Sequence, residues 1–166
     1  TFRPWKVAIV VLAKLWRSIG FSFDHSLDKY LLDAFLSSKN QVISLEDSLE
    51  VLLLFERLSR EDQENWLMKS LESIELVTKH IEDLHEAWKL GSEELVIKLS
   101  HEPLKIIPNL FQRPILERNV AWLPKITKLI DKKDSALVAV GTAHLFGESN
   151  IIDSLISAGY NIERLA

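Results

Sequence analysis

At 166 residues the chain is long enough for one domain with a real hydrophobic core. Apolar residues make up 47% and charged residues 27%, which excludes a disordered chain, and 20 Lys plus Arg against 24 Asp plus Glu leave no basic stripe for nucleic acid. There is no cysteine, so disulfides and thiolate chemistry are excluded while the compartment stays open.

In chain order, residues 5–19 read as a first helix that stops at Gly20. Its apolar run, residues 7–13, falls far short of the roughly 20 residues that cross a bilayer, and Lys6, Lys14 and Arg17 bracket it. The chain starts at Thr1 in helix-like sequence, as an internal piece of something longer would. Residues 28–38 form a second helix with Leu31, Leu32 and Phe35 on one side. "QVISL", residues 41–45, follows a polar turn and is partly β-branched, so it reads as a strand. Asp47 with Glu50 has the spacing of a capping box for a helix to about residue 58, and Ser59 with Asp62 repeats it. The longest predicted helix follows and runs to Gly91, with Leu67, Leu71, Ile74, Ile81, Leu84 and Trp88 as its apolar stripe. Ser92 caps another helix to about residue 100. Pro103, Pro108 and Pro114 then predict loop or short helical turns. Residues 117–130 are helical, with Pro124 as a kink; "DKKDS" is a turn, and residues 136–140 read as a buried strand. Residues 149–158 make a last helix stopped by Gly159, and residues 160–165 a last short strand. The expectation is therefore a helix-rich α/β domain spanning 1–166, with a few-stranded sheet flanked by helices. Three short strands make a poor sheet alone, so further strands would lie outside this sequence or on a second copy.

The stretch "LVAVGTAHLFGE" carries the first candidate site. A strand that stops at Gly141 and presents His144 three residues later puts an imidazole at a strand C-terminal end, where ligands gather in α/β sheets. The competing reading is a loop histidine bonded to backbone. Glu46 directly follows the other apolar strand; a carboxylate at that rim suits a metal or a general base, and equally suits the cap of the next helix. Glu117, Arg118 and Asn119 interrupt an apolar helix face one turn before Trp122, so Arg118 either forks onto a carboxylate or sits in an exposed first turn. His25, His80, His85 and His101 read as solvated or core-edge side chains, and Trp66 and Trp88 as packing residues. No phosphate loop, His-Glu-x-x-His or nucleophile elbow is present.

Taken in order, "SLDKYLLDAF", "QVISLED", "EAWKLGSEEL", "ERNVAWLPKI", "ALVAVGTAHLFGE" and "LISAGYNIERL" resemble the TraB/GumN family, which includes the pheromone-shutdown protein PrgY and, more distantly, the Tiki metalloproteases. The resemblance runs from about Pro4 to Leu165 and matches the family's C-terminal portion. It implies an incomplete erythromycin esterase/ChaN-like fold and, by its Tiki branch, a peptidase dependent on a divalent metal (manganese, cobalt or zinc). By the same resemblance His144 is a metal ligand in a Gly-x-x-His motif with Gly141; Glu46 is a base or supporting carboxylate; Arg118 and Asn119 match the family's Arg-Asn pair; and Asp28 and Gly147 are motif positions. The family's first Gly-x-x-His and the acidic strand behind it have no counterpart here, so these 166 residues are expected to be inactive on their own and to bind metal weakly. The alternatives are a non-enzymatic protein that binds a peptide or other small ligand, as pheromone shutdown implies, and haem or iron handling, as the ChaN relation implies. The compartment stays open; the family resemblance allows the cell envelope or periplasm. The apolar first helix and residues 51–55 predict self-association into a homo-oligomer.

Overall fold

The computed structural model describes residues 2–72, 76–132 and 135–165. The predicted core position Ile74, and Lys133 and Asp134 of the predicted turn, lie outside the described residues.

The chain folds as helices: α1 Pro4–Ser18, α2 Leu27–Ser37, α3 Ser48–Glu56, α4 Arg60–Glu72, α5 Val77–Lys89, α6 Glu93–Val96, α7 Glu102–Lys105, α8 Pro108–Phe111, α9 Arg118–Asp131 and α10 Ile151–Ser157. Two π turns, Ile97–His101 and Gln112–Glu117, join α6 to α7 and α8 to α9. No helix among the described residues is long and apolar enough to cross a membrane.

Local chemistry sets most of these boundaries. Pro4 supplies the fixed φ of a first helical turn. At the other end of α1, Gly20 takes φ +93° and its N–H reaches the Arg17 carbonyl, while Phe21 N–H reaches Trp16. Ser26, Asp47, Ser92 and Asn150 cap α2, α3, α6 and α10 through their side chains. Ser59 accepts the Asp62 N–H at the start of α4. Glu50 does not close the expected box; its carboxylate faces Arg57 at 3.9 Å. The predicted long helix over 60–90 is two helices, α4 and α5, among the described residues. The proline-rich stretch is helical throughout most of its length. Pro108 sits in the first turn of α8, and Pro103 and Pro114 fall at or beside the π turns, whose wider winding accommodates the missing N–H.

The expected α/β sheet does not form. Among the described residues there is no strand: 41–45, 136–140 and 160–165 take no regular structure and make no ladder. At the end of the first of them some groups are engaged otherwise. The Ser44 hydroxyl bonds the backbone N–H and carbonyl of Glu46, and Lys125 Nζ takes the Leu45 carbonyl at 2.5 Å. Such local side-chain bonds compete directly with strand pairing. The β-branched residues do favour extension, yet a strand is stable only when another strand supplies its partners.

Two apolar clusters hold the helices. Trp122, Ile126, Ile151 and Leu155 pack α9 against α10, and Leu45, Val140 and Tyr160 lean on them. Leu58, Ile107 and Leu110 form the other with Phe55, Trp66 and Leu104. Trp5 extends it, with ring centroids 6.0 Å from Phe55, which lies 5.1 Å from Trp66. Each such buried side chain contributes about 2–3 kcal/mol of transfer free energy. Trp66 packs as expected; Trp88 does not, and is half exposed with its ring stacked on His85.

Candidate functional site

Leu45 and Val140 are anchored on the same α9–α10 cluster, one residue before Glu46 and Gly141 respectively. The shared core therefore delivers the ends of two segments distant in the chain to one place. Glu46 and Arg118 meet there in a fork: Nη2 to Oε1 at 2.6 Å and Nε to Oε2 at 3.0 Å. Both side chains are about three-quarters shielded from water. Trp122 Nε1–H adds a third bond, to Glu46 Oε2 at 3.1 Å. The guanidinium lies over the Trp122 ring at 4.6 Å and donates Nη1–H to the Pro114 carbonyl. Arg118 is thus fixed on four sides, as suits a planar donor fork. Glu46 commits both oxygens to holding it.

His144 closes the short 3-10 turn Thr142–His144, whose N–H bonds run from His144 to Gly141 and from Leu145 to Thr142. Its ring is buried, 4.5 Å from that of Trp122. Asn119 Nδ2 donates to the Ser149 carbonyl, which can only accept; Asn119 Oδ1 therefore faces His144 Nδ1 at 2.7 Å and takes its proton. Nε2 is left as the lone-pair nitrogen. Burial, then the Arg118 charge, hold the His144 pKa down at about 4, against an opposing pull from Glu46. The imidazole is neutral across the physiological range.

A cleft of about 360 Å³ opens beside these groups. Glu46, Arg118 and Trp122 line it, together with residues 43–45, residues 137–141 and Asp28 from the first turn of α2. Gly141 borders the cleft with an ordinary extended backbone, and a Cβ there would meet His144 Cδ2 at 3.7 Å. The fold of this chain does not itself demand glycine at that position. Gly147 is different: φ is +79°, and a Cβ would stand 2.7 Å from His101 Nδ1.

The structure thus brings Glu46, Arg118, Asn119 and His144 together, with Asp28 and Gly141 on the cleft and Gly147 behind the turn. His144 has the chemistry of a metal ligand, neutral and with its tautomer fixed by a neighbour. The donor set does not: no three His, Asp or Glu side chains converge among the described residues, and the nearest carboxylate is bound to a guanidinium. Met68, the one methionine, is exposed on α4. Sequence reasoning missed His101. It is fully buried, and its Nε2–H donates to the Ala143 carbonyl at 2.7 Å. The available signal was Pro103 two residues on, which disfavours a regular α turn over that segment.

An Arg-Asn pair on one helix thus faces a Gly-Thr-Ala-His turn, on a helical scaffold and not on the α/β fold that the resemblance implies. Residues 1–164 match the TraB/PrgY/gumN family, and the chain belongs to that family. No curated protein and no solved structure matches it.

Proposed function

We propose that this chain binds an extended peptide in the cleft beside Arg118 and His144. What supports the reading is that two segments without regular structure, 43–45 and 137–141, line one cleft and form no ladder with each other. Among the described residues the backbone groups of 43–44 and 137–140 make no backbone hydrogen bond, which suits the main chain of an added strand, a sequence-tolerant way to hold a peptide. The guanidinium of Arg118, its charge paired with Glu46, keeps one further N–H on each of Nη1 and Nη2 for a carbonyl of the guest. Equilibrium dialysis against a mixed-sequence octapeptide pool tests this, with a backbone N-methylated pool as control. Retention of the first pool and loss of the second is expected. Equal retention of both would remove backbone pairing, and retention of neither would remove peptide binding.

The second reading is hydrolysis of such a peptide with a divalent metal, and His144 favours it. Its Nε2 lone pair, oriented through Asn119, would serve as one ligand; a bound metal would supply Lewis-acid activation of water. The remaining donors would have to come from beyond the described residues, so no chemical step is assigned to the residues described here. Calorimetric titration with manganese, cobalt and zinc tests the ligand role. Weak binding that disappears in His144→Ala is expected; tight binding that survives the substitution would place the ligand elsewhere.

A further inference from the structure

His101 lies outside the cleft and none of the chemistry above uses it. It ends the first π turn, with its ring fully buried and tilted against Phe111 at 5.0 Å. Within the Thr142–His144 turn, the carbonyls of Gly141 and Thr142 accept the turn's own bonds. The Ala143 carbonyl is taken by His101 Nε2–H instead. Since that carbonyl belongs to the peptide unit joining Ala143 to His144, fixing it fixes the direction in which His144 leaves the backbone. On its other side His101 abuts Gly147, whose lack of a Cβ leaves room for Nδ1. Nδ1 itself is buried with no partner among the described residues, so the ring is kept for its one bond rather than for full satisfaction of its polar atoms. Gly147 is tied in turn, its carbonyl accepting from Asn150 Nδ2 at 2.7 Å.

We propose that His101 is a positioning residue for His144: through the Ala143 carbonyl it holds the turn at the angle that lets Asn119 select the His144 tautomer. The functional importance of this arrangement rests on the reading of His144 as a working group, but the arrangement itself does not.

Long-range nitrogen–proton NMR of the histidine rings tests it without any ligand. Wild type is expected to show His144 in the single Nδ1–H form. His101→Phe keeps the volume and removes the donor, and the His144 signals should shift to a mixture of tautomers. His101→Gln restores an N–H near the Ala143 carbonyl and should return the single form. Gly147→Ala pushes the ring away and serves where His101→Phe does not fold; it too should give the mixture. An unchanged His144 pattern in folded His101→Phe, or in Gly147→Ala, overturns the proposal whatever the outcome of the peptide experiment.

Discussion

Asn119 Oδ1 stands 2.7 Å from His144 Nδ1, and that contact decides which ring nitrogen carries the proton. The same amide donates to the Ser149 carbonyl, so one side chain ties helix α9 to both ends of the segment 144–149. Asn119→Ala removes both bonds and leaves buried partners unsatisfied. It should cost about 1–3 kcal/mol, read from urea unfolding. An unchanged midpoint would mean that the segment is held by packing alone.

Stability should depend on pH through His144. Its folded pKa, about 4, lies below the ordinary value of 6.5, so the unfolded chain binds the proton first. The neutral buried ring contributes nothing adverse above 6.5, and folding weakens as pH falls from there toward 4. The loss is on the order of 3 kcal/mol over that window. Urea titrations across the range should show this slope, and His144→Gln should flatten it. An equal slope in the variant would assign the effect to other groups.

The Glu46–Arg118 fork is about three-quarters shielded from water, between the near-zero contribution of exposed pairs and the several kcal/mol lost when a buried pair is broken. A double-mutant cycle with Glu46→Gln and Arg118→Met should return a coupling of about 1–2 kcal/mol. Coupling near zero would mean that the two groups are held by Trp122 and Pro114 rather than by each other.

Two glycines should respond in opposite ways. Gly141→Ala meets only an ordinary contact, and stability should stay within about 0.5 kcal/mol or rise slightly. Any loss of peptide retention in that variant would then report the cleft directly. Gly147→Ala must accept a left-handed backbone and a 2.7 Å approach to His101. It should lose about 2 kcal/mol or more in thermal or urea unfolding.

Self-association is expected from the apolar surface that the helices leave open. Val10 on α1 and Leu49 and Leu52 on α3 are each about half exposed. Sedimentation equilibrium should give a dimer or larger species at micromolar concentration, weakened by Val10→Lys or Leu49→Lys. A monomer throughout would show that these side chains tolerate water singly.

The helices were legible where their ends carry chemistry: Gly20, Asp47, Ser59, Ser92 and Gly159 stand where the caps predict. The sheet was misread because β-branched runs such as 41–45 specify extension, whereas pairing depends on a partner that local sequence does not encode. Of the site, Glu46 and His144 stood out as polar groups at or near the ends of apolar runs, and Arg118 as a charge interrupting an apolar helix face. The Asn119–His144 and His101–Ala143 contacts did not, because they join residues 25 and 42 positions apart and exist only after α9 and the π turn have packed.

The two π turns have a consequence for comparing relatives. Each winds about one more residue per turn than an α-helix, so each takes up one extra residue while the helix faces on either side stay aligned. His101 ends the first and Arg118 directly succeeds the second. A relative lacking one residue in either turn would wind it as an ordinary α turn and keep its imidazole or guanidinium on the same face. A gap of a single position at 97–101 or 112–117 is therefore compatible with this site, whereas the same gap within a regular helix would turn every face beyond it by about 100°.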